Sequence, residues 1–439
     1  MPATSTLPAP NLSSLAPPPL ASDDSWLGAL RRAAFEFVTA QGFPTTKDED
    51  WRYTRLTPIL EVNFDAATLE SGRRRAFGPV DELAGDFGGP RLVFVNGHLA
   101  LDLSFVGATT DGVTLKSVAA ALTEDSEVVQ PHFARRSRDH HAFSALNTAL
   151  AEDGAFIELA PGAVLAEPIH LVFVTSCAEG PLVVSPRSLV LAGAGAKATV
   201  IETYVGAPGE VYLDNALTEF ILEEGAEIEH FKVQVESEQA FHLATLDVRQ
   251  GRSSRFSTRS VALGGAIARH EVQVALEEEG AAAELSGLFM PRGTQHHDNP
   301  TTVEHVAPRC TSHEVYKGVV DDAAHGVFNG RVIVHLDAAG TDASQVNKNL
   351  LLSESAEVDT RPRLEILADD VKVSHGAAVG QLDNEALFYL RSRGIPAEEA
   401  RGLLISAFVE ELLEEWSPPE LRERVAGLVA ERIPRGVGQ

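Results

Sequence analysis

The spacing of apolar residues along this chain changes twice. In DDSWLGALRRAAFEFVTAQG, residues 23–42, Trp26, Leu30, Ala34 and Phe37 recur at helical spacing, acidic residues stand where an N-cap is needed, and Gly42 closes the run. The pattern predicts a helix. From about residue 155 the texture becomes short β-branched or alternating runs broken by Gly, Ala and acidic pairs, as in SLVLAGAGAKATVIETYVG and FILEEGAEIEHFKVQV. These runs predict strands. After Gly380 the helical period returns in NEALFYLRSRG, PAEEARGLLISAFVEELLEEW and PPELRERVAGLVAERI, each opened by Pro or acidic residues.

The breaks in the strand region recur. LAGAGAKATV begins at Leu191, LEEGAEIE at Leu222, LEEEGAAAEL at Leu276 and LSESAEVD at Leu352, with another turn, DVRQGRSSRF, midway through the longer gap from 222 to 276. A unit of this size, read as leucine, turn and strand, points to an irregular β-solenoid whose stacked coils bury a continuous ladder of side chains. A β-sandwich is the alternative. The expected organisation is a disordered tail over 1–21, a helical or mixed region over 22–154, a solenoid core over 155–380 and a helical domain over 381–439. Because a solenoid end exposes strand edges, those last helices are expected to cap it or to dock a partner.

Composition narrows the function. The formal charge of −27 and the pI near 4.9 disfavour nucleic acid. Cys177 and Cys310 are the only cysteines, too few for a disulfide framework, and with no signal-like start or long apolar run the expected setting is the reducing cytoplasm, away from membranes. GAGAK at 193–197 lacks the ending of a phosphate loop, and no nucleophile elbow, C-x-x-C or H-E-x-x-H occurs.

One cluster stands out. PRGTQHHDNPTTVEHVAP, residues 291–308, sets His296, His297 and Asp298 side by side. On an extended strand His296 and Asp298 share one face while His297 takes the other, so three adjacent ligands do not converge. Cys310 and His313, three apart, face opposite ways as well. The trio reads either as polar structure beside Pro300 or as part of a metal site completed from other coils.

Several stretches resemble the SufB/SufD family of iron–sulfur cluster assembly proteins: WLGALRRAAFEFVTAQGFPTTKDEDWRYT, PRGTQHHDNPTTVEHVAP, YKGVVDDAAHGVFNGRVIVH, NKNLLLSESAEVDTRPRLEI, DDVKVSHGAAVGQLD and LFYLRSRGIPAEEARGLLISAF, in that order along residues 24–415. Scarcity of cysteine and the DEDWRYT segment make the chain most similar to the SufD branch. The resemblance implies a right-handed parallel β-helix with helices at both ends. It implies a non-catalytic scaffold subunit that pairs with a SufB-like paralogue, each binding one SufC-like ATPase, with a homodimer as a further option.

The site residues implied are these. In DDVKVSHG the family's Cys-Ser-His reads Val373, Ser374 and His375, which leaves His375 as the candidate ligand for iron or a cluster shared with the paralogue, beside Lys372. From residue chemistry alone, His375 on the face of Val371 and Val373 reads as a core histidine. Asp359 and Arg361 read as pairing residues. The segment holding Tyr389, Arg391, Arg393, Gly394 and Ile395 is similar to the part that meets the ATPase; by itself it reads equally as a helix end capped by Gly394. Two thiols cannot supply the roughly four that a cluster normally takes, so no cofactor is expected to stay bound to the chain alone. The rival classes are a β-helix carbohydrate-active enzyme and a mononuclear metal enzyme built on His296, His297 and Asp298.

Overall fold

The computed structural model describes residues 25–67, 80–107, 111–134, 141–177 and 180–433. The expected tail over 1–21 lies outside them. Within the described residues the chain is mostly strand, and the strand pairs between Ala155 and Gln381 are all parallel. Parallel ladders exclude the sandwich. They stack coil upon coil into a parallel β-solenoid of about seven turns with helices before and after it.

Two sheets form its walls. One carries Tyr212–Leu222, Phe241–Gln250, Ile267–Leu276, His296–His305 and His325–Val334; the other carries Lys197–Gly206, Glu227–Val235, Arg255–Ala262, Ala282–Phe289, Thr311–Val320, Asp342–Leu351 and, last, Lys372–Gln381. Lys197, Glu227, Arg255, Ala282, Thr311, Asp342 and Lys372 follow one another up the second wall, so one coil takes 27 to 31 residues. That is why Leu191, Leu222 and Leu276 recur: Leu222 and Leu276 end first-wall strands at the same edge, as Gln250 does between them, and Leu191 stands one residue before that edge. Leu352 is different. It follows the second-wall strand Asp342–Leu351, so its turn lies at the opposite edge and the 76-residue interval is not a whole number of coils.

Strand alternation sorts the side chains. Val200, Phe220, Ile228, Val248, Phe256, Val274, Leu285, Val303 and Phe328 fill the hollow as one apolar cluster, the ordinary use of a two-residue period. The outer faces are covered by helices. The helix Trp26–Gln41 packs on Ala142–Leu150, and together they lay Val38, Phe143 and Leu146 against Leu213, Phe241, Leu243 and Ile267 of the first wall. Its N-cap is Ser25, whose Oγ accepts from the Gly28 N–H at 3.1 Å, and Gly42 ends it at φ 70°. Arg187 pins the second helix from below: fully buried, it donates to Glu219, Asn147 and Thr148.

The C-terminal helices do not cap the solenoid. Ala397–Leu413 and Pro419–Arg432 fold back along its flank, where Ile405, Val409, Leu412 and Val425 meet Phe231, Val261, Leu288 and Val319 on the outer face of the second wall. A large apolar sheet face outbids a polar strand edge for an amphipathic helix. Consequently the last strand is left open, with nine of its ten residues exposed and Val373 half-buried. Among the described residues no helix is long and apolar enough to cross a membrane.

Candidate functional site

The open edge holds the best candidate. Lys372 N–H donates to the Thr341 carbonyl of the preceding coil. Main-chain groups alternate in direction along a strand, so those of Val373, His375 and Ala377 point away from the solenoid, into the unpaired edge. His375 is the register partner of Gln345, which is the partner of Glu314. The three therefore form one column on the inward face, buried at Glu314 and Gln345 and exposed at His375.

That column is polar throughout. Glu314 accepts from Thr301 Oγ1 at 2.6 Å and from Gln345 Nε2 at 3.2 Å. Gly330 makes room: a Cβ there would sit 2.1 Å from Gln345 Nε2. Burial pushes the Glu314 carboxyl up to about 7, the two hydrogen bonds opposing it. His375 thus sits at the mouth of a polar channel of side chains, with its ring in solvent. It is not a core histidine. Val373, where the resembling motif has a thiol, instead packs in a small apolar cluster with Val332, Ala343 and Leu364. Lys372 faces the other way and is exposed.

The histidine trio is divided as alternation requires. His297 points inward and meets the Gly264 carbonyl at 2.9 Å. His296 and Asp298 face outward beneath the DEDWRYT segment: Thr54 Oγ1 lies 2.9 Å from His296 Nε2 and donates to Asp298 Oδ2 at 2.5 Å. Arg269 also donates to Asp298, with its guanidinium 4.0 Å from the Trp51 ring. Burial lowers His296 to about 4 and His297 to about 3, so both are neutral near pH 7. The trio offers no shared coordination sphere; it anchors the N-terminal segment. His325 meets the His296 ring edge-on and contacts Asp359 at 2.9 Å, while Arg361 and Arg363 hold Glu49 at 2.5 and 3.1 Å, a second tie to the same segment.

The thiols lie apart in the fold and form no disulfide with each other, Cys310 buried just before Thr311–Val320 and Cys177 after Ile169–Thr175. Burial pushes the Cys310 thiol up, against ligation.

A second exposed feature follows the open strand. The helix Asn384–Ser392 has no buried residue, and Phe388 and Tyr389 are 74% and 57% exposed. Arg393 caps it and lies 5.2 Å over the Tyr389 ring, one helical turn away; Gly394 then reverses the chain at φ 90°, with the Ile395 N–H donating to the Leu390 carbonyl. Arg391 is exposed and points elsewhere. The next helix is bolted to the solenoid by Lys317, whose Nζ donates to the Phe408 carbonyl at 2.7 Å and to Glu411 at 2.6 Å.

Sequence reasoning missed one group entirely. Glu202, Asp214, Lys232, Glu236, His242 and His270 all lie buried near one another in the hollow. Burial lowers Lys232 to about 8, partly offset by the carboxylates around it. The only signal available was parity: their even numbering matches that of Val200 and Phe220, which face inward.

Comparison with known proteins agrees with this architecture. A family model described as SUF system FeS cluster assembly, SufBD core domain, matches residues 173–408, and one described as SufBD protein N-terminal region matches 21–171. The chain is 33% identical over 421 residues to an iron–sulfur cluster assembly SufBD family protein of Synechocystis sp., covering 93% of this chain and 92% of the relative. It is 32% identical over 397 residues to the iron–sulfur cluster assembly protein SufD of Escherichia coli, 90% of each, and 25% identical over 424 residues to SufD of Bacillus subtilis, 94% and 95%.

Proposed function

The chain belongs to the SufBD family of iron–sulfur cluster assembly proteins and is SufD-like, and from that premise we propose that it is one half of a two-subunit scaffold whose other half is a SufB-like paralogue. The observation that carries this reading is the open edge of Lys372–Gln381. A paralogous strand added there would satisfy the outward main-chain groups of Val373, His375 and Ala377 and extend the ladder across two chains. His375 would then face the partner, one imidazole offered to iron or to a nascent cluster whose remaining ligands come from elsewhere. The cluster is cargo in this reading, not a resident cofactor.

The exposed helix Asn384–Ser392 supplies the surface for a SufC-like ATPase, with Phe388 and Tyr389 as apolar anchors and Arg391 and Arg393 at the rim. Movement of that helix reaches the solenoid through Lys317, which links the following helix to the coil beside Glu314 and Tyr316. Nucleotide-driven motion of two ATPase subunits would therefore bias the junction between the two solenoids. The chain itself performs no chemistry in this scheme.

Co-expression with both partners tests it. Ala377→Pro removes an outward N–H while sparing the Lys372 bond to the preceding coil, and proline is tolerated on edge strands. It is expected to leave the isolated chain folded and to abolish co-purification with the paralogue. Retention of the pair at unchanged affinity would refute strand addition at this edge.

A further inference from the structure

Around Lys232 the hollow of the solenoid encloses more carboxyl groups than cations. Among the described residues Glu202, Asp214 and Glu236 are buried there around one ammonium, Lys232, with His230, His242, His270, Tyr204 and Tyr212 beside them. Glu202 is well provided for, accepting from Thr218 Oγ1 at 2.6 Å and Tyr204 OH at 3.0 Å. Asp214 and Glu236 each keep one oxygen without a partner. Asp214 Oδ1, Glu236 Oε1 and His242 Nε2 have no hydrogen-bond partner, although each residue is fully enclosed. A buried carboxylate without a counter-charge is among the costliest arrangements in a protein interior. Asp214 eases that cost by holding its proton, since burial and the neighbouring Glu236 raise its pKa well above the usual carboxylate range; with all three ionised, the carboxylates would exceed Lys232 by two charges.

The three orphaned groups are together for a structural reason. Asp214 and His242 are register partners on neighbouring first-wall strands, and both point inward. Glu236 reaches them from the turn after Glu227–Val235, a turn that closes tightly because residue 264 is glycine; a Cβ there would lie 2.3 Å from the Glu236 carbonyl oxygen. Ligand atoms from Asp214, Glu236 and His242 all lie within 4.8 Å of one another. Gln234 Nε2 donates to Glu236 Oε2 at 2.9 Å, and the Tyr204 ring meets the His242 ring edge-on at 4.8 Å, so two of the three are held in place by neighbours that are not themselves ligands. His242 Nδ1 lies 2.7 Å from Glu236 Oε2, which brings the imidazole and this carboxylate to one point of the hollow.

We propose that Asp214, Glu236 and His242 bind one divalent first-row transition-metal cation inside the solenoid. Two carboxylates and an imidazole suit ferrous iron, manganese or zinc, and the lack of thiolate disfavours copper(I) or a cluster. A divalent ion would displace the Asp214 proton and balance Asp214 and Glu236, leaving Lys232 beside the remaining carboxylate, Glu202. Enclosure on all sides means that the ion enters as the coils close, so metal uptake is coupled to folding. This site is separate from His375 and does not depend on the scaffold reading.

The test uses the full chain without an affinity tag, unfolded in guanidinium, refolded anaerobically with manganese(II), iron(II) or zinc(II) in turn, desalted and analysed for metal. About one ion per chain is expected for at least one of the three, falling to about a tenth or less in Asp214→Asn and His242→Gln, while the exposed His313→Gln control retains it. If those variants fail to fold, pulsed paramagnetic resonance of the refolded native chain, loaded with manganese, decides the matter through coupling to a single imidazole nitrogen. Refolded native chain that retains none of the three metals, a His242→Gln variant that folds and binds as well, or bound manganese without nitrogen coupling would each overturn the proposal. Failure of paralogue pairing, by contrast, would bear on the scaffold alone.

Discussion

Replacing Glu314 by glutamine should stabilise this protein at neutral pH and above, by an amount that depends on pH. The carboxyl is fully buried in the column leading to His375 and titrates near 7, against 4.5 for a free glutamate. Below pH 4.5 it is protonated in both folded and unfolded chains and costs nothing. Between pH 4.5 and 7 the folded state holds the proton and the unfolded state releases it, so the unfolded chain binds fewer protons and stability falls as pH rises. Above pH 7 both are ionised and the penalty is constant. A gap of 2.5 units corresponds to about 3 kcal/mol. Glutamine stays neutral and can still accept from Thr301, but its amide faces that of Gln345, a mismatch worth about 1 kcal/mol. The net expectation is therefore a variant slightly less stable than the native chain at pH 4.5 and about 2 kcal/mol more stable at pH 8. Urea unfolding at pH 4.5, 6, 7 and 8 measures it. A difference between the two proteins that is flat in pH would show that Glu314 ionises normally, and one that grows as the pH falls would reverse the sign of the reasoning.

Other outcomes follow from the same contacts. Asp298→Ala leaves Arg269 buried with only Glu271 and should destabilise the chain by about 3 kcal/mol, measured by urea midpoint and unchanged by chelator; a chelator-sensitive native chain whose sensitivity Asp298→Ala removes would restore the trio as a metal site. Arg187→Met strands Glu219 in the junction with the helix Ala142–Leu150 and should cost about 3–5 kcal/mol, seen as loss of amide-exchange protection in that helix first. Phe388→Asp should alter stability by less than about 0.5 kcal/mol yet abolish binding of the ATPase in a pull-down. His375→Ala should leave the paralogue complex intact while lowering the yield of assembled cluster in the reconstituted complex, and full yield would remove the ligand role.

What could be foreseen was whatever depends on neighbours in sequence. Strand alternation separated His297 from His296 and Asp298, because that requires only a period of two. The solenoid was legible from its turns at Leu191, Leu222 and Leu276, which mark one edge of successive coils. Leu352 belongs to the other edge, and nothing local distinguishes the two. The flanking position of Ala397–Leu413 was hidden for a related reason: an amphipathic helix announces an apolar face but not which surface receives it. Asp214, Glu236 and His242 escaped notice because a polar residue facing a hollow looks the same in sequence as one facing water, and only the 28-residue register between Asp214 and His242 brings them together. His375 followed from a resemblance, whereas its exposure followed from the missing cap.

The central claim is that this chain offers an open strand edge and one imidazole to a joint scaffold and builds no cluster by itself. Anaerobic reconstitution of the purified chain alone with ferrous iron and sulfide, followed by Mössbauer spectroscopy, tests it most directly. No iron–sulfur centre above trace occupancy is expected, with any bound iron appearing as mononuclear ferrous ion, whereas a stoichiometric, stable four-iron centre on the solitary chain would contradict that claim.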